Sequence, residues 1–388
     1  MLRKPDSTQL ATTAERIIPL DRARTLITLL VVLYHSVINY TYYGIGGDRM
    51  RWLGFDLIVL FNDSFFMACM FFVSGLFVHG SLARRGPANF LAGRVWRLGI
   101  PFLVSIFVVM PIAYYRYYQS EFDFLHFYFN MVTIGPWSSG SAWFLWVLLV
   151  LDAVAALLWA VAPRKIEAFG RFIDAQRHRP MTAFVAFLIF SIVIYLPLRL
   201  IFGDSSWLVP GHYPFPIQTS RILLYAGYFL TGVAVGAGNL RNGVLAENGA
   251  LSERWMVWLA IALAFYAAIL LLVYIHRGGW VDLRSPPLWW HTAYGLVFAM
   301  FSAAMTFAVP ATFLRFARAS LWPLDAMQPS AYGIYLLHFV PLIWLQYLIY
   351  DPAFPAFIKF AIVFAGTLSA SWVLTILLRK IPVVARMI

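Results

Sequence analysis

Charge is scarce in this sequence. Only 12% of its 388 residues are Asp, Glu, Lys or Arg, about half the share usual in soluble domains. Hydrophobic residues make up 62%, more Phe, Trp and Leu than a soluble globule of this length can hide, which excludes a water-soluble fold. Cysteine is scarcer still. Cys69 is the only one and lies in an apolar run, so disulfides and cysteine-ligated metals are excluded. The 8 histidines are scattered without ligand spacing, and no metal is expected. The chain also lacks a low-complexity linker, a convincing internal repeat and any stretch that reads as a soluble domain. No small-residue cleavage site follows the first apolar run, which is therefore expected to remain as a helix.

Long apolar runs are present throughout. Each is about 20 residues, enough to cross a hydrocarbon core about 30 Å thick. Spans are expected near 24–44, 57–80, 98–115, 141–162, 181–202, 218–238, 254–275, 289–309, 327–350 and 356–378. The fold class that follows is an all-α polytopic transmembrane bundle of about ten spans, a single domain over 1–388 with a polar N-terminus at 1–20. Aromatic residues, 18% of the chain, suit belts at the two membrane surfaces. The formal charge of +12 does not point to nucleic acid, because Lys and Arg fall in short connections between spans. Placing the N-terminus in the cytosol puts roughly 21 of them inside and roughly 8 outside, the positive-inside pattern. Both termini are then cytosolic and the expected location is the plasma (inner) membrane, with the lipid bilayer as partner. The inner set includes Arg3, Lys4, Arg16 and Arg318, and the outer set Arg199, Arg221, Arg284 and Lys359. Outer segments 116–140 and 203–217 are long and aromatic or Pro-rich, and are expected to fold as lids or re-entrant pieces over a cavity.

Ionisable groups inside spans are costly and mark pathways or sites. Arg24 and His35 lie 11 residues apart in LDRARTLITLLVVLYHS. That is three helical turns, so they share one face about 16 Å apart, Arg24 near the cytosolic surface and His35 at mid-membrane or slightly beyond. Asp21, one turn from Arg24, is placed to orient it. Asp63, Asp152 and His338 are expected at similar depths to His35, forming a mid-membrane polar layer in which Asp63 or Asp152 holds the His35 tautomer. The structural alternatives are a snorkelling Arg24, a packed His35 and an Asp63 that only bonds its neighbours. A basic cluster, Arg84, Arg85, Arg94 and Arg97, precedes the third span. Arg94 and Arg97 are one turn apart and can both face one anion, although such residues also sit there simply as positive-inside charges.

These residues resemble membrane acyltransferase family 3. The resemblance rests on Arg24 with His35, on Arg94-Val95-Trp96-Arg97 followed by LGIPF, and on Phe71-Phe72-Val73-Ser74-Gly75 closing the second span. Trp143-Phe144-Leu145 near the start of the fourth and the late YGIYLLHFVP stretch with His338 complete it. It covers essentially the whole chain, and LFNDSFFMACMFFVSG and RVWRLGIPF are most similar to the periplasmic glucan succinyltransferase branch. It implies an O-acyltransferase with acyl-coenzyme A (acetyl-CoA or succinyl-CoA) as cytosolic co-substrate, a glycan hydroxyl of the cell envelope as acceptor, and no nucleic-acid partner.

On that basis Arg24, Arg94 and Arg97 are expected to hold the donor's phosphates. His35 is expected to act as general base on the acceptor hydroxyl, or as a transient acyl carrier. His338 is the reserve base, Asp63 a catalytic partner, and Trp143 and Asp152 are placed on the substrate, Trp143 by stacking on a sugar ring. Arg199 and Arg221 are candidate cations for an acyl group ending in a carboxylate. A transporter or flippase is the alternative from another class, because buried charges also line transport paths. Against it, the halves show no matching Gly/Pro-interrupted spans.

Overall fold

The computed structural model describes residues 17–43, 47–209, 213–278, 286–316 and 319–388. The described residues form helices with no strand beyond a single bridge between Trp207 and Gln218. In chain order these are α1 (Ile18–Tyr40), α2 (Leu53–Gly75), α3 (Val78–Tyr117), α4 (Phe124–Thr133), α5 (Gly140–Val161), α6 (Pro163–Asp174), α7 (Pro180–Phe202), α8 (Thr219–Ala237), α9 (Trp255–Arg277), α10 (Leu288–Arg315), α11 (Trp322–Leu337), α12 (Phe339–Leu348) and α13 (Ala356–Leu378). Among the described residues nine are long and apolar enough to cross a membrane. The bent pair α11–α12 makes a tenth if it counts as one span. The protein is thus a polytopic helical membrane bundle, with a span at nine of the ten expected positions and the bent pair at the expected 327–350. Arg3, Lys4, Arg16, Arg284 and Arg318, and the N-terminal segment before residue 17, lie outside the described residues. The face at which α1 begins is the Arg-rich one and is termed inner.

Three boundaries differ from expectation. The first span begins at Ile18 rather than near 24, because Pro19 is tolerated in the first helical turn, where its missing N–H is no loss. His35 consequently lies in the last turn of the regular helix. The second span ends at Gly75, and only Leu76 and Phe77 separate it from α3. The expected basic loop is therefore helical. Its Ala, Leu and Arg residues favour helix, and its one break is Gly86, at φ 72° before Pro87. That backbone conformation is open to glycine and strained for other residues.

Prolines and short irregular turns shape the spans where polar groups gather. Pro101 has no N–H to offer the Arg97 carbonyl four residues back. The preceding turn, Val95–Gly99, is wound as a π-helix, and the Tyr332 hydroxyl donates to the Arg97 carbonyl. Pro341 deprives the Leu337 carbonyl in the same way, and the chain bends by 65° between α11 and α12, at His338. α2 is interrupted at Ser64–Phe65, immediately after Asp63. Irregular backbone at membrane depth is tolerated where it is buried in protein or lines a cavity.

Close helix contacts fix the frame. A Cβ on Gly75, Gly232 or Gly236 would collide with backbone carbonyls of Phe229, Phe72 and Leu76 respectively. α2 and α8 thus meet backbone to backbone, the small-xxx-small contact that packs helices in lipid. On the outer side the buried Lys359 ammonium donates to both Asp48 oxygens, at 3.0 and 2.7 Å, and to the Tyr350 carbonyl at 2.7 Å. It pins the α1–α2 connection to α13. Removing one member of a buried pair strands the other charge, at a cost of about 3–5 kcal/mol, whereas replacing both by apolar residues is nearly neutral. Lys359→Ala is expected to lower detergent thermal stability sharply, and Lys359→Met with Asp48→Leu to recover most of the loss.

Candidate functional site

A cavity of about 240 Å³ lies in the outer half of the bundle, walled by α1, α2, α5, α8, α11 and the 207–218 connection. His35 and Tyr34 of α1, Asp63 of α2, Ser141 and Trp143 of α5, and Arg221 and Tyr225 of α8 all face it. Leu208 N donates to Ile217 O and Thr219 N to Ser206 O, both at 3.0 Å. This clasp folds the second expected lid segment so that Trp207 and Gln218 close one side. Residues 210–212 of that segment lie outside the described residues.

The hydrogen bonds around His35 assign its tautomer. Nδ1 lies 2.9 Å from the Val31 carbonyl oxygen, which only accepts, so Nδ1 carries the proton. His338 Nδ1 lies 2.6 Å from the Tyr335 carbonyl oxygen and is protonated for the same reason. The unprotonated His338 Nε2 then faces His35 Nδ1 at 3.3 Å and accepts from it. These bonds leave His35 Nε2 with a free lone pair on a cavity-lining ring. His338 is fully buried behind His35, and the Pro341 bend turns it there.

Asp63 does not perform the orienting role expected of it. Its carboxylate is bidentate on the buried Arg221, at 2.9 and 2.5 Å, and its carbonyl, exposed by the break in α2, accepts from the same guanidinium at 3.2 Å. The strongest local cation captures the strongest local anion, and a neutral His–His contact takes the place of the expected Asp–His pair. Asp63 remains on the cavity wall, as does Trp143, whose ring is 5.7 Å from that of Tyr225.

Asp152 departs further from the expected polar layer. It is fully buried on α5, with Oδ2 3.1 Å from Arg94 Nε, and is not among the groups lining the His35 cavity. The reason is axial: it lies 11 residues beyond Ser141, about 16 Å further along α5, below the cavity and level with Arg94 of α3. Arg94 also lies over the Phe90 ring at 5.0 Å. Arg97 is exposed beside it. Arg24 is half-exposed, 3.9 Å from Asp21, and near enough to Arg94 for their like charges to act on each other. Three guanidinium groups thus gather on the inner side: Arg24 on α1, which also frames the cavity, and Arg94 and Arg97 on the neighbouring α3.

Of the two outer cations considered for an acyl carboxylate, Arg221 lines the cavity. Arg199 is paired elsewhere, with Asp204 at 2.9 Å and the His291 carbonyl at 2.9 Å. The sequence reading missed Tyr34, Ser141, Tyr225 and Tyr335. Helical spacing carried a signal for two of them: Tyr225 is one turn from Arg221, and Tyr335 is three residues before His338.

Fold and site together define a multi-pass membrane protein with a histidine-centred cavity between its helices and an arginine cluster on the opposite side. Residues 17–376 match the family described as the acyltransferase domain. The chain belongs to membrane acyltransferase family 3 and is an enzyme that transfers acyl groups. No curated protein matches it significantly.

Proposed function

We propose that this enzyme takes an acyl group from acyl-coenzyme A at the cytosolic face of the inner membrane and transfers it to a hydroxyl of a cell-envelope glycan at the outer face. The observation that carries this reading is the single helix α1, with Arg24 towards the inner side and, three turns on, His35 with its Nε2 lone pair free.

Arg24, Arg94 and Arg97 would hold the donor's phosphates. Guanidinium groups suit phosphate because their planar forks give paired, charge-assisted hydrogen bonds. The roughly 16 Å along α1 from Arg24 to His35 suits the reach of an extended pantetheine arm. At the cavity, His35 Nε2 removes the proton of the acceptor hydroxyl as its oxygen bonds to the acyl carbon. The carbon–sulfur bond breaks, and the departing thiolate takes that proton from His35 Nε2–H, which restores the neutral base. His338 Nε2 accepts from His35 Nδ1–H throughout and steadies the imidazolium; it positions the base. Ser141, in the first turn of α5 on the cavity wall, supplies a hydroxyl, and the start of that helix a partial positive charge, towards the developing oxyanion.

The acyl group is small on this reading. The cation within the cavity is already neutralised by Asp63, so a carboxylate-ended acyl group would have to compete for Arg221. The resemblance to a succinyltransferase branch points the other way, and a direct comparison of donors decides. Purified protein in nanodiscs is incubated with acetyl- or succinyl-coenzyme A, with and without β-glucan oligosaccharide, and free thiol is followed. His35-dependent release that rises with glycan is expected, faster with the acetyl donor. A folded preparation that neither binds nor consumes either donor would overturn the reading and favour transport.

A further inference from the structure

A second and larger cavity, about 560 Å³, opens beside the first on the outer side. It is built from the end of α3, from α4 and from the turn that follows, so the first expected lid segment forms a vestibule of its own. Tyr114, Tyr117, Tyr118, Phe122, Asn130 and Ser138 line it, with Phe127 and Met131 at its base. We infer that this vestibule is the acceptor subsite and that it takes an uncharged glycan. The inference rests on the acyl-transfer reading of the His35 cavity and adds the class of acceptor and the place where it docks.

The lining selects that class. Aromatic rings offer apolar faces, and three tyrosine hydroxyls, one serine and one carboxamide offer hydrogen bonds. A sugar ring presents the same two chemistries, C–H bonds on its faces and hydroxyls on its edge. Among the described residues the lining holds no Asp, Glu, Lys or Arg; the nearest cation, Arg116, lies between the Tyr117 and Tyr347 rings at 4.8 and 4.1 Å, so no lining side chain offers a fixed charge to an ionic ligand for its lost hydration. An alkyl chain fits less well. It would cover Asn130 and the Tyr114–Ser138 hydroxyl pair, whose oxygens are 3.4 Å apart, and leave them without water. The volume is within the range of small-molecule sites, about 300–1,000 Å³.

The position selects the role. One aromatic ring stands between vestibule and base: Phe339 lies 6.3 Å from Tyr114 and 5.4 Å from His35, centroid to centroid. The chain from Ser138 to Ser141 runs from one cavity wall to the other. A glycan held against Tyr117 and Tyr118 can therefore direct one hydroxyl past Phe339 towards His35. Tyr118 stacks on Phe127 at 5.0 Å, which holds the platform in place.

The test is direct binding of a neutral β-glucan hexasaccharide to the full chain in nanodiscs, by calorimetry, in the His35→Ala background so that nothing turns over. Tyr118→Ala and Asn130→Ala are each expected to raise Kd, Tyr118→Ala by about fivefold to tenfold for a lost stacking platform. Phe129→Ala, on the outward side of α4 and 61% exposed, is expected to leave Kd unchanged. Coenzyme A binding should be the same in all of them, which shows that the variants fold. A hexasaccharide carrying succinyl half-esters should bind more weakly than the neutral one. Equal binding in Tyr118→Ala, Asn130→Ala and Phe129→Ala would overturn the subsite. So would displacement of a long-chain lipid probe from this cavity without glycan binding, which would make it a lipid pocket. Loss of His35-dependent thiol release, by contrast, refutes the acyl-transfer reading and is read in a separate assay.

Discussion

His35→Ala is expected to abolish acyl transfer while leaving the bundle folded and coenzyme A bound at the inner face. General-base catalysis contributes about 10²–10⁴-fold, and loss of the one imidazole that lines the cavity among the described residues should forfeit all of it. Folding should survive, because His35 is partly exposed to the cavity and its two neighbours keep other partners: Val31 O remains in its helix, and His338 keeps its bond to Tyr335 O. His338→Ala separates orientation from proton transfer. A hydrogen bond to a charged group is worth about 1.5–3 kcal/mol, so this variant should lose about tenfold to a hundredfold in kcat with an unchanged KM for the donor. His338→Gln, which keeps an acceptor, should recover part of it. Wild-type turnover in His35→Ala would falsify the assignment of the base. Equal and total loss in both variants would mean that the pair acts as one unit, with either ring able to carry the proton.

The second large effect is expected at Arg94. Asp152 is fully buried, and Arg94 answers its charge at 3.1 Å. Arg94→Met leaves that carboxylate unpaired inside the bundle, at a cost of about 3–5 kcal/mol. Replacing both, Arg94→Met with Asp152→Leu, removes the stranded charge and should restore most of the thermal stability. Donor binding should follow a different course. A guanidinium that contacts phosphate as well as Asp152 is missing from both variants, so the KM for acyl-coenzyme A stays raised by about tenfold or more even where stability returns. If stability and KM recover together, Arg94 is purely structural and the phosphate site falls to Arg24 and Arg97. Thermal unfolding and donor titration on the same preparations distinguish the two cases.

Hydropathy and charge along the chain were enough to establish the membrane bundle and where its spans fall; the class of enzyme was legible only through the resemblance carried by the Arg24–His35, Arg94–Arg97 and Phe71–Gly75 motifs. Those properties are local: a run of apolar residues must lie in lipid whatever it packs against, and Arg24 and His35 share a face because one helix carries both. The start of α1 at Ile18 and the helical basic segment were harder to read, because Pro19 is harmless in a first turn and charged residues do not by themselves end a helix. Pairing across helices was beyond the sequence. His35 meets His338 over a separation of 303 residues, and Asp63 meets Arg221 over 158. Either choice depends on how far each helix is rotated about its axis, and a shift of one residue turns a side chain by about 100°. The tertiary structure decided it through backbone contacts at Gly75, Gly232 and Gly236, the bend imposed by Pro341 and the break after Asp63. Together these turn one histidine towards another, give Asp63 to Arg221, and send Asp152 to Arg94.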